Sequence, residues 1–300
     1  MLRQLIISTS LAMSVQAVQA EPVQQDQQGH QATPPLTLKV YNADAHSFNA
    51  NSTLVMGDKE AIVIDAGFTR ADALRIAANV LDSGKQLTTI YVSQADPDYY
   101  FGVETLKSIF PQADVVTTQA VLAKLAPKVA GKLAFWGPKM GTNAPQHPVM
   151  PRVLTEDKLM IEGQTIEIRG TTGLLAHRPY AWIPSIKAIV GNIGVFGHMH
   201  VWTADTQTVA ERAAWVSQLD EMAALHPAIV VPGHMQQGTT MDASTIRFTS
   251  DYLKTFDKNL AVSADSATLI KSMHQAYPQI TDGEISLDIG AKVNKGEMKW

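Results

Sequence analysis

Short apolar runs rich in β-branched residues alternate along this chain with stretches of helical periodicity, and several runs stop abruptly at a polar cluster. Residues 36–41 alternate apolar and polar side chains as a half-buried strand does. Residues 52–56 and 61–64 flank Gly57-Asp58-Lys59-Glu60, a turn-forming tip that predicts a hairpin. Residues 70–81 then place Ala73, Leu74, Ala77, Ala78 and Leu81 at helical spacing. A buried strand is predicted at 89–92, an amphipathic helix over 100–110, a strand at 115–117 and a helix over 119–129. This rhythm predicts an α/β layered fold. In the second half, strands are predicted at 158–161, 164–168, 181–184, 188–191 and 228–231. Helices are predicted over 209–225, with Thr206 or Thr208 as cap, and over about 244–259 and 266–275. Residues 131–151, with four prolines and three glycines, break the rhythm and are expected to form a long irregular segment that lines or covers a pocket. The tail from 285 to 300 shows no clear period.

Composition narrows the function classes. The chain has 300 residues, 45% of them hydrophobic, and a formal charge of -4, which offers no basic footprint for nucleic acid. With no cysteine, disulfides, thiolate zinc sites and iron–sulfur clusters are excluded together. A positive start at Arg3, an apolar stretch and Val18-Gln19-Ala20 read as a secretory signal peptide over residues 1–20, and a periplasmic address follows. Residues 21–35 are glutamine-rich and read as a flexible leader. Residues 36–300 read as a single domain with no stable membrane span, acting on a small-molecule substrate; no protein partner is legible.

Four polar clusters sit just beyond predicted strands: Asp65, then Gln94-Ala95-Asp96-Pro97-Asp98-Tyr99, then Asn192, then His234. In layered α/β folds, loops from separate strands converge at such ends. Here the chain resembles the metallo-β-lactamase superfold. Ile64-Asp65-Ala66-Gly67 looks like that family's early strand with its Asp before Gly, and residues 93–102 match in position the loop that normally reads His-x-His-x-Asp-His. The strands running to Gly191-Asn192 resemble the pair ending in the family's Gly-Asp, and Val230-Val231-Pro232-Gly233-His234 resembles the last ligand loop. The resemblance covers roughly residues 36–236 and implies an α/β (α+β four-layer) αββα sandwich.

The same comparison marks a departure. The family's two zinc ions share about five histidines and a bridging Asp. Here Gln94, Asp96 and Tyr99 stand at the three histidine positions of the first motif, Asn192 stands for the bridging Asp, and a further histidine is missing near Leu174. A standard dizinc centre is therefore not expected, and the metal motif reads as degenerate. One reading gathers Asp96, Asp98 and His234, helped by His200 or His198, around one divalent metal, zinc, manganese or iron. Asp98 would activate water and Tyr99 would donate to a developing oxyanion. The other reading makes Asp96 an N-cap, Pro97 the first helical residue and Asp98 a favourable first-turn acid.

His198 and His200, two apart, would share one face of a strand. Asp65 reads as a structural carboxylate; Gln94, Asn192 and His198 are expected beside the substrate or behind the ligands. His177-Arg178 either offers charge to an anionic substrate or forms a surface pair. His46, His147, His226 and His274 suggest no partner. The function the resemblance implies is that of an exported hydrolase of a small ester, lactone or amide acting through an altered, mononuclear metal site; one rival is a non-catalytic relative that keeps the pocket for a ligand or partner, and another is metal-free acid/base chemistry by Asp98 with Tyr99. Export predicts cleavage after Ala20, so intact-mass analysis of the periplasmic fraction is expected to find a chain starting at Glu21. A chain retaining Met1 would remove the address.

Overall fold

Each predicted strand has two faces, and the fold follows from what the two faces meet. The computed structural model describes residues 34–300, which pack as one compact unit; the expected signal peptide and nearly all of the leader lie outside the described residues. The first half supplies β1 (Thr37–Asn42), β2 (Asn51–Met56), β3 (Glu60–Ile64), β4 (Gln86–Tyr91), β5 (Asp114–Thr117) and β6 (Arg152–Val153), side by side in chain order. β1 to β3 form an antiparallel meander; β3 to β6 run parallel. Between them lie α1 (Arg70–Ser83), α2 (Pro97–Tyr100), α3 (Val103–Ile109), α4 (Gln119–Leu125) and α5 (Val129–Met140).

The second half supplies β7 (Lys158–Ile161), β8 (Gln164–Arg169), β9 (Tyr180–Ile183), β10 (Ala188–Val190), β11 (Phe196–Gly197), β12 (Ile229–Val230) and β13 (His234–Met235). The order β12-β10-β9-β8-β7 makes a second sheet, and β11 pairs with β13 in parallel. α6 (Val209–Ala224), α7 (Ser244–Val262), α8 (Ser266–Ala276) and α9 (Glu284–Asn294) complete the chain. Among the described residues no helix is long and apolar enough to cross a membrane.

Side-chain alternation assembles the layers. On β3, Ala61 and Val63 pack with α1 and α3, while Ile62 and Ile64 turn to the second sheet. On β9, Ala181 and Ile183 answer them, while Tyr180 and Trp182 pack with Trp215, Leu219 and Leu253 of the outer helices. The result is the αββα sandwich, with apolar cores on both sides of each sheet. A fully buried Ile or Val contributes roughly 1.5–3 kcal/mol through burial, so the central layer of such residues holds the two halves together.

Two elements differ from the reading of the sequence. Residues 129–140 are helical despite Pro138, which lies in the last turn, where one lost backbone donor disturbs little. This helix buries no residue fully; Val129, Trp136 and Met140 rest on the first-half core. The tail also forms a helix, α9. Its inner face is built from Ser286, Leu287, Gly290, Ala291 and Val293, and the small and polar members hide its period.

The turn after β3 fixes the strand-end loops. Asp65 is buried and holds φ at +67°; its carboxylate accepts from Ser93 N and Ser93 Oγ, both at 2.8 Å. Ala66 N donates to Tyr99 O at 2.8 Å and Gly102 N to Gly67 O at 3.0 Å. A Cβ on Gly102 would lie 2.0 Å from Ala66 O, so that position admits only glycine without a shift. The segment 65–67 and the loop 93–102 are thus held as one piece.

Burial pushes the Asp65 carboxyl up to about 8, against the two Ser93 hydrogen bonds, with the Asp98 charge adding to the rise. Folding therefore takes up a proton here, and the proton reverses the Ser93 Oγ bond so that the carboxyl donates. The contribution is complete below the ordinary carboxylate range and is lost as pH rises through 8. Asp65→Asn tolerates the positive φ and removes this dependence. Between pH 6.5 and 8, the wild type is expected to lose up to about 2 kcal/mol of stability that the variant keeps, by urea unfolding. Equal slopes in the two proteins would place the proton elsewhere.

Candidate functional site at the strand ends

α2 opens at Pro97, with Asp96 at the N-cap position, yet the Asp96 side chain makes no capping hydrogen bond. Capping therefore does not account for its carboxylate. Burial raises the Asp96 carboxyl, the charges of Asp205 and Asp98 raise it further, and Lys132 and Arg178 oppose them. Asp98 is 8% exposed and is also raised, by burial first. Lys132 comes from α5, the segment expected to be irregular, which is helical here.

Asp98, Tyr99 and His234 form a connected group. His234 Nε2 lies 3.0 Å from Tyr99 Oη and 3.5 Å from Asp98 Oδ2. His234 Nδ1 lies 2.9 Å from Phe48 O, and a carbonyl only accepts, so Nδ1 carries the proton and Nε2 accepts from the Tyr99 hydroxyl. Burial pulls His234 down to about 4, which keeps the ring neutral at physiological pH. Phe196 stacks on the imidazole at 5.2 Å. On Gly233 a Cβ would lie 2.1 Å from Asn192 O and 2.7 Å from Tyr99 Oη, so this loop also requires glycine.

The amides of Asn192 and Gln94 are committed to the backbone. Asn192 Oδ1 accepts from Val195 N at 2.8 Å, and Asn192 Nδ2 donates to Val231 O at 2.9 Å. Gln94 Nε2 donates to Pro179 O at 2.9 Å. That bond steadies the neighbour of Arg178, whose guanidinium lies 4.1 Å over the Trp215 ring. Arg178 is 5% exposed, donates to Ile193 O only at 3.5 Å, and its Nη1 has no hydrogen-bond partner. Its charge is felt by Asp96, Tyr99 and His234. These residues do not fit a dizinc centre: the amides and Tyr99 are engaged, and a fixed cation stands within electrostatic reach.

The expected metal set of Asp96, Asp98, His200 and His234 is not brought together. Among the described residues, three ligating side chains with atoms all within 4.8 Å of one another occur only at His200, His274 and Glu284. His200 belongs to that group and not to the strand ends, with Nδ1 2.9 Å from Tyr252 Oη. His198 is exposed beside Phe248, whereas His200 is buried. The shared strand face fails because β11 ends at Gly197 and His198 takes φ +54°. Tyr99 is fully buried and spends its hydroxyl on His234, so it positions the imidazole and does not face an oxyanion.

Asp205 and Lys132 were invisible as site residues because nothing local marks them. Arg178 had one signal, its place beside the missing histidine. Asn192→Asp would restore the family's carboxylate but set it against the Val231 carbonyl. The substitution is expected to cost about 1–3 kcal/mol in urea unfolding; an unchanged midpoint would mean that the amide bond contributes nothing.

A model of the metallo-beta-lactamase superfamily matches residues 47–182. Solved structures with a similar course include a beta-lactamase domain protein from Burkholderia ambifaria (13% identity, 88% of this chain and 85% of that one, TM-score 0.59). Another is a metallo-beta-lactamase family protein from Thermus thermophilus (14% identity, 87% and 92%, TM-score 0.57). At such identities the likeness concerns the fold. Among curated proteins none matches. With the two facing sheets, their outer helices and the matched segment all in agreement, this chain is a metallo-β-lactamase-fold protein.

Proposed function

We propose that the strand-end site hydrolyses a small ester, lactone or amide in an exported protein, with Asp98 as general base and Arg178 as the cation that receives negative charge. The observation that carries this reading is the buried Asp98 beside a neutral His234, with the unpaired Arg178 Nη1 in the same electrostatic neighbourhood. Membership of the fold supports a hydrolase-like reaction in general terms; the substrate class is our reading of the site.

A carboxyl raised by burial approaches the working pH, where a general base is most effective. Water attacks the carbonyl carbon and passes its proton to the Asp98 carboxylate. The former carbonyl oxygen becomes an oxyanion beside the guanidinium, whose unspent N–H donates to it. Collapse breaks the C–O or C–N bond, and Asp98 returns the proton to the leaving alcohol or amine. Tyr99 and the Phe48 carbonyl hold His234 in one tautomer, a neutral ring 3.5 Å from the Asp98 carboxyl. No step passes through a metal.

A panel of small esters, lactones and amides, with and without chelator, tests the proposal. Turnover is expected to survive the chelator, and Asp98→Asn is expected to lower kcat about 100-fold or more with KM little changed. Loss of turnover in chelator would favour the reading in which Asp96, Asp98 and His234 share a divalent ion. Silence across the panel, with a carboxylate still bound, would favour a binding protein instead.

A further inference from the structure

A second cluster lies where the loop after β11 meets α8 and α9. His200 N donates to Asp282 O at 2.9 Å. Gly283, at φ +83°, precedes α9, and a Cβ there would fall 2.8 Å from His200 O and 2.9 Å from His200 N. The start of α9 is therefore pressed onto the His200 backbone, which delivers Glu284. Glu284 Oε1 lies 3.6 Å from His200 Nε2, and Glu284 Oε2 lies 3.4 Å from His274 Nε2 on α8. The two imidazoles stand at 89° with centroids 5.3 Å apart.

His200 is wholly buried, and its Nε2 has no hydrogen-bond partner. In the tautomer whose Nδ1–H donates to Tyr252 Oη, Nε2 keeps a lone pair directed at the cluster. A buried acceptor without a partner is costly and calls for a physical reason. The two gaps are too long for good hydrogen bonds, yet one ligating atom from each of the three side chains lies within 4.8 Å of the others, near enough for small rotations to place all three about one ion with bonds of about 2.0–2.1 Å.

We propose that His200, His274 and Glu284 form a divalent transition-metal site of zinc type, with His200 Nε2, a His274 ring nitrogen and a Glu284 carboxylate oxygen as ligands and water in the fourth position. Two imidazoles and a carboxylate suit zinc, and the Tyr252 bond orients His200 as an outer-shell partner does. His274 and Glu284 are 43% and 55% exposed at their side chains, which leaves the ion a route from solvent. The ion would tie the loop after β11 to α8 and α9. This site is separate from the strand-end proposal and does not depend on it.

The full chain, without a histidine tag and stripped with chelator, is titrated with zinc chloride by calorimetry and melted with and without zinc. We expect one zinc per chain and a zinc-dependent rise in Tm. His274→Ala and Glu284→Gln, both at half-exposed positions, are expected to weaken zinc by at least about tenfold and to abolish the thermal shift, while Asp98→Asn binds zinc as the wild type does. Absence of zinc binding, binding unchanged in both His274→Ala and Glu284→Gln, or loss of the zinc in Asp98→Asn would overturn the proposal.

Discussion

The contact between the Asp65 carboxylate and Ser93 governs the chemistry-bearing end of this molecule. It closes the gap between the ends of β3 and β4, and the neighbouring backbone bonds from Ala66 and Gly102 extend the closure to the start of α3. Together these bonds fix the loop carrying Asp96, Asp98 and Tyr99 against the end of the first sheet. Both sides of this closure have little room: Gly102 sits against Ala66 O, and Gly233 against Asn192 O. Position is thus set by close packing of backbone, with side chains filling what remains.

Upon that frame the site solves an electrostatic problem. Burial raises both Asp96 and Asp98, and the charge of Asp205 adds to the rise. Arg178 and Lys132 supply an opposing field at Asp96, and the amides of Gln94 and Asn192 serve as framework, one joined to the loop bearing Arg178 and the other to the residue after β12.

The fold was legible because its signals are local and repeated. The apolar runs at 61–64 and 181–184 mark strands buried on both faces, and the hairpin tip at 57–60 fixes the first register. α5 and α9 were not legible. In α5 the prolines and glycines dominate the pattern although the residues between them suit a helix, and in α9 Ser286 and Gly290 occupy the inner face. At the site, residue types at strand ends pointed to Asp98, Tyr99 and His234, which the structure connects. His200 was misplaced because one left-handed residue, His198, redirects the chain, and no sequence pattern announces such a residue in advance. Pairings between distant positions, such as His274 with Glu284, depend on packing angles that no periodicity encodes.

The double engagement of Asn192 bears on redesign. Gln94, Tyr99 and Asn192 each hold a bond within the scaffold, so changing any one of them to a metal ligand would break that bond before the new side chain could coordinate anything. Installing a metal centre at this end would call for several changes made together, on a scaffold stable enough to absorb the intermediates.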